Sequence, residues 1–347
     1  MQHLKFFSHI TKKDVAIAGG KGASLGEMTH AKIQVPPGFV VLASAFDRFI
    51  EETNLKEEIR ARLGEVDLAD TNTVDRASNV LRDVIHDTPM PSDLTDEILK
   101  AFDELFANTP PAPLDRGEKQ RFVAVRSSAT AEDSAVASWA GELETYLNTT
   151  RENVVERVRN CWSSLFTPRA IFYRHEKNLI DHYVSVAVVI QKMIQSEISG
   201  ITFTVHPVTE DYDQMIIEAG YGLGEAIVSG QITPDSYVVS KSGMNIVDIY
   251  VGNQNRKLIR NVRTTKATKL RTTKFVKDED GANEWVGVGK EGEKQKLTGK
   301  QIIEVATVCK QIEDHYKFPC DIEWAMDKSG VIFITQSRPI TTLKKKN

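Results

Sequence analysis

Cysteine is scarce in this chain, and its scarcity excludes two classes. Only Cys161, Cys309 and Cys320 occur in 347 residues. They are odd in number, widely spaced and never in a CxxC pair, which argues against a disulfide framework and a zinc site and fits a reducing cytosol. An excess of positive charge is missing as well: 44 Lys and Arg stand against 48 Asp and Glu, a formal net charge of −4. Nucleic acid and membrane surfaces usually recruit a basic face, so neither partner is expected. Long apolar runs are also absent. The longest, Val184 to Ile190, is interrupted by Ser185 and is far shorter than the ~20 residues a membrane helix needs; it reads as a buried strand. The opening MQHLKFFSHI carries no long apolar stretch after its lysine. No secretory signal is therefore expected, and the location is read as cytoplasmic. Internal repeats and low-complexity tracts are absent.

What is present is a chain with 41% hydrophobic residues, enough to fill a substantial core spread over two or three lobes. Helical spacing runs through Phe46, Phe49 and Ile50, through Leu55, Ile59 and Leu63, through Val80, Leu81, Val84 and Ile85, and from Leu94 to Leu105. Thr109-Pro-Pro-Ala-Pro113 breaks the pattern and reads as a linker. Beyond it, short β-rich stretches alternate with a helix over 153–166, and 243–292 reads as exposed hairpins. A helix over 298–316 opens on Thr298 as N-cap. The chain then closes on a hairpin, 320–326 and 331–337, turned by Asp327-Lys-Ser-Gly330. The expected division is 1–108 as a helical, glycine-rich subdomain, 109–190 as a central α/β part, 191–342 as a C-terminal lobe with the hairpin, and 343–347 as a tail. The fold class is α+β.

Four constellations carry chemistry. In Gly19-Gly-Lys-Gly-Ala-Ser-Leu-Gly-Glu-Met28, glycines before a helix let backbone N–H groups approach phosphate, and Lys21 adds a mobile charge. The segment is neither a Walker A loop nor GxGxxG, and a plain turn with a solvated lysine stays open. In 122–133, an apolar strand carries Arg126 to a small, hydroxyl-rich turn, where a guanidinium can fork onto phosphate oxygens; pairing with Glu132 or Asp133 at the surface stays open. Ile190-Gln-Lys-Met193 ends a β-rich run that could offer backbone groups to an adenine edge, with Met193 against the ring, although an ordinary core strand has the same spacing. In the closing hairpin, strand alternation puts Asp321 and Glu323 on one face and Gln336 and Arg338 on one face. With Met326 opposite Val331, Asp321 would stand opposite Gln336 and the four would form one polar patch. Oxygen donors without nitrogen or sulfur suit Mg²⁺. A one-residue slip would separate the sets, and a solvated hairpin face stays open.

GGKGASLGEM, VPPGF, VRSSATAEDS, AGELETYLNT, GLGEAIVSGQITPD, DIEWA and QSRPITT occur in this order. Together they resemble the nucleotide domain shared by phosphoenolpyruvate synthase, pyruvate phosphate dikinase and rifampin phosphotransferase, from about Gly19 to Thr342. The resemblance implies an ATP-grasp-like fold with two lobes enclosing a nucleotide cleft. It assigns Lys21, Arg126 and Arg338 to the ATP phosphates and to catalysis. It places Gly141 and Thr145 in the loop over the phosphates and Gln191, Lys192 and Met193 along the adenine. It makes Glu323 and Gln336 the Mg²⁺ ligands with Asp321 beside them, and Glu225 a further contact. Two departures flank the metal strand: Lys317 stands where the family usually has glycine, and Cys320 where it commonly has glutamine.

The full-length relatives carry a swivelling domain with a phospho-accepting histidine in a TSH motif. None of the eight histidines here, His3, His9, His30, His86, His175, His182, His206 and His315, sits in such a motif. The resemblance therefore implies the ATP-binding component of a dikinase. The β,γ-phosphates of Mg·ATP would pass to a histidine on a separate carrier domain or subunit, as in two-chain phenylphosphate synthase. AMP would leave, and a small molecule such as pyruvate or a phenol would be phosphorylated later. Two other readings remain: an ATP-grasp ligase forming an acyl phosphate, and a non-catalytic nucleotide-binding regulatory module.

Overall fold

The computed structural model describes residues 3–107, 121–130, 144–176, 184–261, 282–341 and 343. The chain divides into two compact units: Met1–Glu27 with Pro37–Met193, and Met28–Pro36 with Ile194–Asn347. The proline-rich stretch at 109–113, read above as a linker, lies outside the described residues.

The first unit comprises β1 (Leu4–Phe6), α1 (Val15–His30, whose last turn belongs to the second unit), β2 (Gly38–Val41), α2 (Ala43–Glu52), α3 (Leu55–Gly64), α4 (Thr71–Asp87), α5 (Ser92–Ala107), β3 (Val123–Ala129), β4 (Thr145–Thr149), α6 (Val154–Ser163), α7 (Pro168–Glu176) and β5 (Val186–Lys192). Its strands form one five-stranded sheet in the order β1-β2-β5-β3-β4, antiparallel throughout. The helical spacing read from α2 to α5 packs as expected. Phe46, Phe49, Ile50, Leu81, Ile85, Leu94, Ile98 and Phe102 are all buried in one core with Val123 and Val125 of β3. Trp162 of α6 closes that core, its ring 5.1 Å from Phe49 and 5.7 Å from Phe46. β5 is buried along nearly its whole length, which is why its sequence reads as a continuous apolar run rather than an alternation.

The second unit contains β6 (Ile198–Phe203), β7 (Gln214–Tyr221), α8 (Glu225–Val228), β8 (Asp235–Ser240), β9 (Asn245–Tyr250), β10 (Arg256–Arg260), β11 (Asn283–Gly287), α9 (Gly299–Tyr316), β12 (Cys320–Met326) and β13 (Ile332–Pro339). Six strands form a sheet in the order β13-β12-β6-β7-β8-β9, and β10 pairs with β11. α9 begins at the Thr298 cap with a full capping box: Gln301 N donates to Thr298 Oγ1 at 3.3 Å and Thr298 N donates to Gln301 Oε1 at 2.9 Å. Its Ile302, Val305, Ala306, Cys309 and Ile312 are buried against the sheet face that carries Thr202, Ile322 and Trp324. Trp324 lies over Gly200, where a Cβ would overlap the indole, and its Nε1 donates to Thr202 Oγ1 at 3.1 Å. The odd-numbered residues of β6 and β12 therefore face the other way. A fully buried pair, Lys296 Nζ and Asp235 Oδ1 at 2.9 Å, pins the segment before α9 to β8. Tyr237 Oη and Gly252 N also donate to the Asp235 carboxylate, at 2.6 and 2.9 Å, so the charge is fully partnered. Among the described residues no helix is long and apolar enough to cross a membrane.

Candidate functional site

In the first unit the sheet has a helix face and a second face. Strand alternation sends Val123, Val125 and Ala129 into the core and turns Ala124, Arg126 and Ser128 to the other side. Register carries that second face across the sheet. Arg126 is the Cα partner of Thr145 on β4 and of Val189 on β5. Ala124 is opposite Gln191, and Gln191 is opposite Gly38. Three of the expected site residues, Arg126, Thr145 and Gln191, thus share one face. Arg126 and Gln191 are buried and Thr145 is exposed.

The glycine segment lies on the same face. Gly22 N donates to Ser128 Oγ at 3.3 Å, and Ser128 Oγ donates to Ala18 O at 3.0 Å. A Cβ on Gly22 would touch Val40 of β2. The expected turn before a helix takes a different form: Gly19 (φ 68°, ψ 170°) is a break inside α1, and Gly20, Lys21 and Gly22 already belong to its helical turns. A side chain at Gly19 would collide with the Ser128 hydroxyl and carbonyl. The glycine is needed because the chain takes a positive φ at this kink while in contact with β3. Lys21 follows directly, half-buried. Its charge acts on the Cys161 thiol, which burial pushes up to about 12, and works against that rise.

Lys192 and Met193 stand differently. Lys192 pairs with Val123, so its side chain takes the helix face, with Nζ 5.4 Å from the centre of the Phe106 ring. Burial holds its ammonium below the usual lysine range. The backbone N–H groups of both residues are engaged, Lys192 N with Pro37 O at 2.8 Å and Met193 N with Phe122 O at 2.9 Å. Gly141, Glu132 and Asp133 lie outside the described residues.

In the second unit the closing hairpin has the expected faces in a different register. Met326 pairs with Ile332, not Val331, and a bulge at Thr335 then shifts the ladder by one more residue. The two offsets add to two, so the faces are preserved while the partners change: Asp321 stands opposite Arg338, and Glu323 opposite Gln336. Arg338 Nε and Nη2 both donate to Asp321 Oδ2, at 2.9 and 2.7 Å. Burial raises the Asp321 carboxyl above its usual value although Arg338 pulls the other way. Gln336 is 5% exposed. Among the described residues no three His, Cys, Asp or Glu side chains converge into a metal cage. One carboxylate and one amide oxygen side by side fit a Mg²⁺ that keeps waters and substrate phosphates as its other ligands, and do not fit a closed structural zinc or calcium site.

Glu225 opens the short α8 and is exposed. The turn before it is tightly held. Gln254 accepts from Tyr221 N and donates to Tyr221 O, both at 2.8 Å, and Ser196 and Ser199 hydroxyls both donate to Gly222 O. Two carboxylates escaped the sequence reading. Glu218 of β7 is opposite Ile201, itself opposite Glu323, which puts it on the Glu323 face; a lone acid in the apolar run MIIEAGY was the available signal. Burial raises it, and Asp321 raises it further. Glu144 is the other, held by Arg82 at 2.8 Å; nothing local marks it. The open groove of about 610 Å³ lined by Ile303, Thr307, Val331 and Ile332 lies along α9 and the hairpin turn, and contains none of these residues.

The fold and these side chains describe an α+β, ATP-grasp-like nucleotide-binding protein. The chain belongs to the family of the pyruvate phosphate dikinase AMP/ATP-binding domain, whose model matches residues 15–347. It is 45% identical over 348 residues to a probable phosphoenolpyruvate synthase of Methanocaldococcus jannaschii, covering 99% of this chain and 27% of that protein. It is 40% identical to the phosphoenolpyruvate synthase of Pyrococcus furiosus, covering 99% of this chain and 44% of the relative. To a probable phosphoenolpyruvate synthase of Archaeoglobus fulgidus it is 44% identical, covering 98% and 42%. The chain spans less than half the length of these relatives.

Proposed function

We propose that this chain is the ATP-binding component of a dikinase, which binds ATP with Mg²⁺ and yields the β,γ-phosphates to a histidine on a carrier domain or subunit. The observation that carries the reading is the common sheet face of Arg126, Thr145 and Gln191 with the Gly19–Gly22 segment laid against it, in a chain of an AMP/ATP-binding family. Lys21, Arg126 and Arg338 neutralise the phosphates. Thr145, at the start of β4, and Gly141 stand over them, Gln191 and Met193 flank the adenine, to which Lys192 offers backbone only because its side chain takes the helix face, and Glu225 is a further contact. Glu323 and Gln336 hold the Mg²⁺, with Asp321 orienting Arg338; the cation supplies charge neutralisation on the phosphate oxygens. The protein's share of such chemistry is positioning and charge stabilisation.

Catalysis then needs a nucleophile that the chain's own histidines, none of them in a TSH context, do not supply. A carrier histidine attacks the β-phosphorus, AMP leaves, the γ-phosphoryl group goes to water or phosphate, and the phosphohistidine serves a small acceptor such as pyruvate, in the cytoplasm. Such a visitor must also depart, so its contact is small and transient. The test is to mix the chain, a carrier domain and ATP labelled at the β-phosphorus. Label on the carrier with release of AMP is expected. Label retained on released ADP would point to a ligase, and tight ATP binding with no turnover under any pairing would point to a regulatory module.

A further inference from the structure

Among the described residues β4 is the edge strand of the first sheet and pairs with β3 alone, and their ladder slips between Val123 and Val125. A short, irregular edge strand opens readily unless its ends are tied. The start of β4 is tied at Glu144, on both backbone and side chain. The Glu144 carbonyl accepts from Ser127 N at 3.2 Å and from Ser127 Oγ at 3.0 Å. The Glu144 carboxylate accepts from Arg82 Nη2 at 2.8 Å and from the Tyr146 hydroxyl at 2.5 Å. The Arg157 guanidinium covers the Tyr146 ring at 4.9 Å from its centre. Arg82 comes from α4 and Arg157 from α6, so two core helices grip this one strand end.

Alternation then matters. Glu144 and Tyr146 are two residues apart and take the helix face, where Tyr146 packs on the core. Thr145, between them, takes the opposite face, as the partner of Arg126. We propose that Glu144 is a positioning residue of the phosphate site: clamped by Arg82 and Tyr146, it fixes the end of β4 so that Thr145 stands opposite Arg126. This rests on the reading that Arg126 and Thr145 bind phosphate. Glu144 does not touch the nucleotide. Its charge is spent on Arg82, on the far side of the strand.

The test uses the full chain, with Mg·ATP affinity measured by calorimetry and amide hydrogen exchange followed residue by residue. Glu144→Ala is expected to weaken ATP binding about tenfold and to speed exchange at Ser127 and along β4, with the rest of the first unit as protected as before. Tyr146→Phe, which removes a single hydroxyl, should do the same to a smaller extent, about threefold, and is the variant to read if Glu144→Ala does not fold. Unchanged ATP affinity in both would overturn the proposal, and so would a loss accompanied by faster exchange throughout the first unit. Arg126→Ala is the control. If it too binds ATP like the parent, the phosphate reading itself fails and takes the Glu144 role with it. If Arg126→Ala loses ATP and Glu144→Ala does not, only the Glu144 role fails.

Discussion

Asp321 and Arg338 face each other across the closing hairpin, and the guanidinium spends two donors on a single carboxylate oxygen, Asp321 Oδ2. The side chains differ in exposure: 12% for Asp321 and 47% for Arg338. Removing either partner therefore has unequal consequences. Asp321→Ala leaves a guanidinium that water can reach. Arg338→Ala leaves a mostly buried carboxylate without its counter-charge, a loss of about 1–3 kcal/mol. Arg338→Ala should unfold at clearly lower denaturant than Asp321→Ala, and the double variant should recover part of the difference. If the two single variants are equally stable, the pair is no more than a surface contact.

Gly19 is held at φ 68°, ψ 170° against Ser128, a backbone region essentially closed to residues with a Cβ. Gly19→Ala should cost about 3 kcal/mol or more, from backbone strain and the collision with β3 together. Gly64→Ala, where a Cβ meets nothing, should be neutral or mildly stabilising. Thermal unfolding of the two variants side by side checks the contrast.

Lys317 caps α9 in the left-handed region, φ 65° and ψ 24°. That is the position where a helix most often ends on glycine, and it gives a physical reason for the glycine usual at this point in the resembling family. Lys317→Gly should raise stability by about 0.5–1 kcal/mol, because relief of the left-handed strain outweighs the added chain entropy. An unchanged or lower melting temperature would mean that the lysine side chain makes up for its backbone.

The extent to which the site could be read from sequence follows from the range of the forces involved. Local signals carried well: the Thr298 capping box, the buried stripes of α2 and α5, and the shared polar face of the hairpin are all dictated by spacing within a few residues. The hairpin register was not readable, because the bulge at Thr335 depends on how β12 is also bound to β6. The role of Gly19 needs β3, more than a hundred positions away, to be pressed against α1. Glu144 needs Arg82 of α4. The division of the chain, with 28–36 joining the second unit, depends on pairings such as Ile334 N to Gln34 O, which leave no mark in composition.

Glu218 gives a pH-dependent prediction. It lies on the Glu323 face of the second sheet, and burial together with Asp321 raises its carboxyl above the ordinary glutamate value of 4.5. In the unfolded chain the group ionises at that ordinary value; in the folded protein it holds its proton to higher pH. Through that window the folded state binds more protons than the unfolded state, so stability falls as pH rises. Above that window the group works against folding, and below about pH 4 the cost is gone. Glu218→Gln removes the charge and keeps the shape. It should melt at a higher temperature than the parent near neutral pH, and the two should converge as the pH is lowered through 4.5. A gain that persists undiminished in acid would assign the effect to packing. Glu218 shares its face with Glu323 and Gln336, the residues proposed to hold Mg²⁺. The same variant should accordingly bind Mg·ATP more weakly while being the more stable protein, a pairing that calorimetry and thermal melts on one preparation can establish.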